Sequence, residues 1–108
     1  MVVVRLDTAS ITEWKSFHDA CRTLFGIPDF YGANMDAWID CMSYLRDDAG
    51  MTKFNLSAEE CLSIEVTDAR SFKKRLPEIF DTLVECTAFV NKRYVEDGES
   101  PVLSIVLL

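Results

Sequence analysis

The sequence predicts an α/β fold in which a three-stranded parallel sheet packs against about four helices. Three short apolar segments, rich in β-branched residues, have the length and composition of buried strands. Two helical patterns separate each segment from the next, and connections of that length join parallel strands. The predicted order is therefore β-α-α-β-α-α-β, and residues 1–108 are predicted to form a single domain.

The first half of the chain is predicted to contain a strand at residues 2–6 and then a helix. Residues 10–13 have the form of a capping box, which satisfies the free amides at a helix start. The helix is predicted to end at Gly26, because glycine is common at helix C-termini. Its apolar stripe has helical spacing and consists of Trp14, Phe17, Cys21, Leu24 and Phe25.

A second helix is predicted from Asn34 or Gly32, either of which suits its start, to about Leu45. One side of it is apolar and consists of Met35, Trp38, Ile39, Met42 and Leu45. The opposite side is polar, with separations of 4, 3 and 4 residues that are typical of one helix face. That polar side consists of Asp36, Asp40, Ser43 and Asp47.

The second half begins with a connection at residues 46–60 that is predicted to have little regular structure. A strand at 61–66, a short helix from Thr67 or Asp68 to about Leu76, and a long helix from Pro77 to Gly98 follow. Residues 102–108 are the third predicted strand. The predicted buried side of the long helix consists of Ile79, Phe80, Leu83, Val84, Thr87, Val90, Asn91 and Tyr94.

The chain is acidic, with 18 Asp and Glu against 11 Lys and Arg, a net charge of −7. Direct binding to nucleic acid is not expected, because phosphate binding depends on clustered basic residues. The net negative charge suits a basic protein partner, although the same charge is also explained if it serves only to keep the domain soluble. The short apolar N-terminus resembles neither a signal peptide nor a membrane span, so we expect a cytoplasmic protein without membrane contact.

No cofactor or metal is expected from the sequence. The four cysteines are 20, 20 and 25 residues apart, a spacing that is not typical of zinc or iron–sulfur sites, and we expect free thiols. His18 is the one histidine, and it is interpreted as a structural residue of the first helix rather than a catalytic one. The sequence contains no phosphate-binding loop, nucleophile elbow or zinc-protease motif.

Asp36 and Asp40 are the most prominent candidate site, since residues four apart share one helix face. A pair of carboxylates can serve as an acid and a base, but such a pair normally lies in a desolvated pocket. These two lie opposite the apolar stripe, so an enzyme is not expected. Asp40 is in mid-helix near a like charge, which is locally unfavourable and invites a functional explanation, but the spacing alone fits a binding role and a merely solvated helix face about equally well.

Residues 26–42 read Gly-Ile-Pro-Asp-Phe-Tyr-Gly-Ala-Asn-Met-Asp-Ala-Trp-Ile-Asp-Cys-Met. This stretch resembles the signature of the barstar family of intracellular ribonuclease inhibitors, which is approximately Leu-Pro-acidic-Tyr-Tyr-Gly-X-Asn-Leu-Asp-Ala-Leu-Trp-Asp-Cys-Leu. The predicted order of strands and helices is also similar across most of the chain. The matching positions are Pro28, Asp29, Tyr31, Gly32, Asn34, Asp36, Ala37, Asp40 and Cys41.

The resemblance implies an immunity protein that blocks the active site of a basic, barnase-like ribonuclease or another toxin. By position, Asp40 would occupy the place of a substrate phosphate, with Asp36 beside it in the same interface. A carboxylate suits that role because it accepts charge-assisted hydrogen bonds from Arg and Lys. The remaining candidate partner-binding residues are Phe30, Tyr31, Asn34 and Ser43. We expect a monomer.

The chain departs from the family pattern at four places, one of which is the 46–60 connection, longer here than in the best-known member. Phe30 stands where the family often has a tyrosine, and Trp38-Ile39 replaces a Leu-Trp pair. A glutamate that some members use on their last helix aligns here with Arg93. The differences at Phe30 and Ile39 leave open an alternative, a regulatory module with the same fold and a partner that is not a nuclease.

Overall fold

The computed structural model describes residues 2–28 and 32–108 and confirms the predicted α/β architecture. Three parallel strands and four helices follow one another in the order β-α-α-β-α-α-β. The strands are β1 (Val2–Leu6), β2 (Leu62–Val66) and β3 (Leu103–Leu107). The helices are α1 (Trp14–Phe25), α2 (Met35–Met42), α3 (Ala69–Arg75) and α4 (Pro77–Glu96).

The central strand of the sheet is β2, with β1 and β3 at its two edges. Val4, Ile64 and Ile105 are aligned across the three strands and belong to the face that packs into the core. The opposite face is held by polar contacts between strands. The Arg5 guanidinium lies 3.0 Å from the Glu65 carboxylate, and the Ser104 and Ser63 hydroxyls are 3.1 Å apart.

The start of α1 differs from the prediction by three residues. The capping box is formed by Glu13 and Ser16, whose hydroxyl accepts a hydrogen bond from the Glu13 amide at 3.1 Å. Ser10 lies instead in a 3₁₀ turn at Thr8–Ser10 and donates to the Asp7 carbonyl. The predicted Ser10–Glu13 capping box is therefore wrong, because Glu13 is itself the N-cap residue of α1.

The bounds of three other predicted elements, and one predicted core residue, differ from the structure. Strand β3 is Leu103–Leu107, one residue shorter at each end than the predicted 102–108. Helix α2 ends at Met42 rather than Leu45, because the Tyr44 amide bonds to the carbonyl three residues back and tightens the chain into turns. Cys61 precedes β2 instead of beginning it. Val84 is 42% exposed, so the buried side of α4 is narrower than its apolar pattern predicts.

Gly26 ends α1 as predicted, and the structure shows two reasons for glycine there. Its φ of 63° lies in the left-handed region, which side chains disfavour. A Cβ at this position would also lie 2.7 Å from the Cβ of Lys53. The amide of Lys53 donates to the Phe25 carbonyl at 2.9 Å, so the 46–60 connection packs directly on the end of α1.

The connection at 46–60 forms bends and turns, as predicted, but it is tied firmly to the rest of the domain. Its Leu56 amide donates to the Leu45 carbonyl at 2.7 Å. Arg46, whose side chain is only 5% exposed, donates to the carbonyls of Glu60 and Ser100 at 2.8 Å each. A single buried guanidinium therefore joins both ends of the connection to the segment before β3.

The four cysteines are free thiols in the structure. Cys21 and Cys41 are buried, and burial raises the pKa of Cys21 to about 12. Cys61 and Cys86 are half-buried. None of the helices within residues 2–28 and 32–108 has both the length and the apolar character needed to cross a bilayer.

The burial of His18 makes the stability of the fold depend on pH. Its ring is 5% exposed and contacts the rings of Trp14 and Phe17, with centroids 5.8 and 5.2 Å away. Desolvation lowers its pKa below the ordinary value of 6.5, although the neighbouring Asp19 carboxylate opposes that shift. The unfolded chain therefore binds a proton first as the pH falls, and the free energy of unfolding should decrease below about pH 6.5.

Urea unfolding at pH 7.5, 6.0 and 5.0 measures this decrease. We expect the His18→Gln variant to lose stability less steeply than the parent between pH 7 and pH 5, whatever its stability at neutral pH. Equal slopes in the two proteins would contradict the assignment to His18. The exposed Asp19, whose pKa is lowered mainly by its hydrogen bond with Lys15, contributes only at more acidic pH.

Candidate protein-binding site

The candidate site begins with a well-defined helix start. The side-chain oxygen of Asn34 accepts a hydrogen bond from the Ala37 amide at 2.8 Å, so Asn34, one of the two predicted candidates, is the cap and Gly32 is not. Its side-chain nitrogen donates to the Gly32 carbonyl at 3.2 Å. Both ends of this amide are thus engaged within the chain, and Asn34 holds the turn against the first turn of α2.

The buried side of α2 fixes its position in the domain. Trp38 is fully buried and contacts Phe25 of α1 edge-on, with ring centroids 6.4 Å apart. Cys41 and Met42 are also buried. At the end of the helix, the Tyr94 hydroxyl of α4 donates to the Met42 carbonyl at 3.2 Å. The helix is therefore anchored along its length and presents its other side without freedom to rotate.

That other side carries the two aspartates. Asp36 lies in the first turn of α2, where the helix dipole favours a negative charge, and Asp40 lies one turn later. Both residues are exposed, and 66% of the Asp40 side chain is accessible to solvent. Two solvated carboxylates one turn apart are suited to accepting hydrogen bonds from cationic groups.

A groove of about 310 Å³ lies between α2 and α4 beside these carboxylates. Its two walls approach because α4 packs against α2. The residues that line the groove are Asp36, Ile39, Asp40, Phe89 and Arg93. Two acidic groups, one basic group and two apolar side chains thus share one small concavity on the surface.

Arg93 contacts three residues of this site. Its Nη1 atom lies 3.8 Å from the Asp40 carboxylate and donates a hydrogen bond to the Ser43 hydroxyl at 3.2 Å. Its guanidinium lies over the ring of Phe89, 4.9 Å from the centroid. Ser43 in turn donates to the Ile39 carbonyl at 2.7 Å. Ser43 therefore links α2 to Arg93 at the end of the groove.

The structure brings together three of the six predicted partner-binding residues, namely Asp36, Asp40 and Ser43, on one side of α2. Asn34 lies at the start of the same helix, where it serves as the cap. Phe30 and Tyr31 lie outside the residues that the structure describes, so their placement stays a prediction.

Sequence reasoning missed Phe89 as part of the site. It is 47% exposed and lies four residues before Arg93 on α4, a spacing that places both on one helix face. That spacing was a usable signal, because an aromatic residue on the solvent side of an amphipathic helix needs an explanation. Nothing in the sequence indicated that Phe89 lies near α2, because 49 residues separate Phe89 from Asp40 along the chain.

Replacing Asn34 with alanine should lower the free energy of unfolding by about 1 kcal/mol, because it removes the helix cap. Asn34→Asp should keep most of that stability, since the carboxylate can still accept from the Ala37 amide. Urea denaturation measures the loss, and Asn55→Ala is a matched control at an exposed asparagine of the 46–60 connection. Equal effects at the two positions would contradict the capping role.

Comparison with known families adds one finding. A family model described as Barstar (barnase inhibitor) matches residues 1–106, which is almost the whole chain. No curated protein matches it.

Proposed function

The chain belongs to the barstar family, and we propose that it is an inhibitor that blocks the active site of a basic, barnase-type ribonuclease. One observation of the structure carries the proposal. Two exposed carboxylates, Asp36 and Asp40, lie one turn apart on a helix whose opposite side is buried in the core. This face of α2 would bind the cationic groups that otherwise hold the phosphate of the RNA substrate.

Asp40 is proposed as the phosphate mimic and Asp36 as its neighbour. A carboxylate resembles a phosphate in charge and in its paired acceptor oxygens, so Arg and Lys side chains can donate to it in the same way. The anchoring of α2 through Trp38 and Tyr94 supports this role. Groups that are already held in place lose little conformational entropy on binding.

The net charge of −7 supports a basic partner, because opposite charges raise the rate of association. Phe30 and Tyr31, in the turn before α2, are proposed to flank the aspartates in the interface, together with Asn34. We propose further that the protein acts as a monomer in the cytoplasm of the cell that makes the ribonuclease, as an immunity protein and not as an enzyme.

The direct test is a titration of the purified protein into a barnase-type ribonuclease while RNA cleavage is followed. We expect cleavage to fall linearly and to reach its minimum at one inhibitor per enzyme. Cleavage that continues unchanged at a large excess of the protein would exclude this ribonuclease as the target.

A second candidate function is a regulatory module that uses the same face on a partner other than a nuclease. The observation that favours it is Arg93, which places a positive charge 3.8 Å from the central aspartate of the acidic face. Capture from a host lysate with immobilised protein, followed by capture with immobilised Asp40→Ala, separates the two candidates. Only partners lost with the variant use the proposed face, and their identity decides between nuclease and other proteins.

A further inference from the structure

The groove between α2 and α4 holds a positive charge that a purely acidic binding face would lack. Arg93 approaches Asp40 to 3.8 Å and is kept there by two other contacts, the Ser43 hydroxyl and the Phe89 ring. The side chains of Arg93 and Asp40 are 45% and 66% exposed. The pair is therefore accessible, and water and salt screen it, so a partner can displace it.

The orientation of the guanidinium leaves one of its edges available. Among the described residues, both polar contacts of Arg93 run through Nη1, and its Cζ atom lies 4.9 Å from the centroid of the Phe89 ring. The edge formed by Nε and Nη2 is the one that a carboxylate commonly takes with two parallel hydrogen bonds. The Arg93 guanidinium can thus pair with Asp40 at one edge and donate hydrogen bonds to a carboxylate of a partner at the other edge.

We propose that Arg93 is the built-in counter-ion of Asp40 and a specificity-determining residue of this groove. It selects a protein partner that offers a carboxylate to Arg93 together with cations to Asp36 and Asp40. It disfavours a partner whose contacting surface is purely basic, since that surface would bring positive charge against Arg93. This proposal rests on the proposed function in that it assigns the same face of α2 to the interface.

The pattern of charges in the groove supports this kind of partner. Two carboxylates and one guanidinium line a volume of about 310 Å³, which is the size of a few side chains. Because these three charges lie close together, any group that enters the groove interacts with all of them. A complementary surface must therefore alternate in sign, and like charges facing one another across an interface are strongly unfavourable.

The binding test compares Arg93→Ala and Arg93→Glu with Lys92→Ala. Lys92 is the adjacent exposed residue of α4, about 100° around the helix, so its replacement makes the same change in net charge away from the groove. Against a barnase-type ribonuclease whose contacting surface is purely basic, the kind of partner that Arg93 disfavours, we expect Arg93→Ala to lower the Kd at least ten-fold more than Lys92→Ala does, and Arg93→Glu to lower it further. Equal effects of the two alanine variants would overturn the proposal.

The carboxylate of the partner is tested on the ribonuclease itself. Each basic residue of its active-site cleft is replaced in turn by glutamate, and the Kd for the parent and for Arg93→Ala is measured each time. We expect at least one replacement to reverse the order of affinity so that the parent binds more tightly. The same order for every replacement would overturn the proposed recognition of a carboxylate.

A measurement without a partner separates this proposal from the proposed function. The ¹⁵N NMR signal of the Arg93 Nε–H group is compared in the parent, Asp40→Asn and Asp48→Asn. A shift with Asp40→Asn alone supports the pairing even if none of the proteins binds the ribonuclease, an outcome that would count against the proposed function. No shift with Asp40→Asn would overturn the counter-ion assignment whatever the binding data show.

Discussion

Replacing Asp40 with alanine is expected to raise the Kd for a barnase-type ribonuclease at least 100-fold, mainly through faster dissociation. The reason is that the cations of the partner would remain buried in the interface without their counter-charge, which costs about 3–5 kcal/mol for a buried pair. Association should slow only slightly, since the variant keeps a net charge of −6 where the parent has −7.

The same replacement should leave the free energy of unfolding almost unchanged. Asp40 is exposed, and its removal relieves repulsion from Asp36, an effect of about 0.2–0.5 kcal/mol. The loss of the half-exposed contact with Arg93 offsets that gain with a similar magnitude. We expect a net change within about 0.5 kcal/mol in urea denaturation.

Asp48→Ala is the matched control for binding, because it removes the same charge from an exposed position that does not line the groove. Surface plasmon resonance of the parent and both variants on the immobilised ribonuclease gives the two rate constants. If Asp40→Ala and Asp48→Ala weaken binding equally, the interaction depends on overall charge and Asp40 is not the phosphate mimic.

Replacing Arg46 with alanine is expected to lower the free energy of unfolding by about 3 kcal/mol, the largest loss of stability that we predict for a polar residue here. The guanidinium is 5% exposed and donates to three backbone carbonyls, those of Glu60, Ser100 and Pro101. Hydrogen bonds from a charged donor contribute more than neutral ones, and acceptors left buried without a partner are costly.

Two further contacts of Arg46 add to this effect. Its Nη1 atom lies 3.4 Å from the Glu99 carboxylate, and the guanidinium lies 5.2 Å from the centroid of the Tyr94 ring. Tyr94 also bonds to the last residue of α2, so loss of Arg46 is expected to loosen the end of that helix. The free energy of binding to the ribonuclease should therefore decrease less than the free energy of unfolding, because Asp36 and Asp40 lie earlier in the helix.

Chemical denaturation of Arg46→Ala, Arg46→Lys and Arg70→Ala tests the prediction. Lysine keeps the charge but not the planar fork of donors, so Arg46→Lys should lose more than half as much stability as the alanine variant. Arg70 is an exposed arginine of α3, and its replacement should change the free energy of unfolding by less than about 0.5 kcal/mol. Similar small losses at both positions would show that Arg46 does not stabilise the connection.

Features set by neighbouring residues were predicted well. Gly26 was assigned correctly as the end of α1, and Asn34 was one of two candidates for the start of α2, because capping depends on residues within one turn. The exposed pair Asp36 and Asp40 follows from helical spacing alone. The predicted end of α2 at Leu45 was wrong, because apolar periodicity continues through the turn while Leu45 itself stays in the core.

The sequence by itself determined the order of elements, the parallel sheet and the acidic face of α2, since these depend on local periodicity and on the length of the connections. Only the tertiary structure decided what lies beside that face. Arg93 and Ser43 are 50 residues apart in the chain, and Arg46 bonds to Ser100 across 54. Such contacts depend on how α4 packs against α2, and the spacing of residues along the chain does not predict that packing.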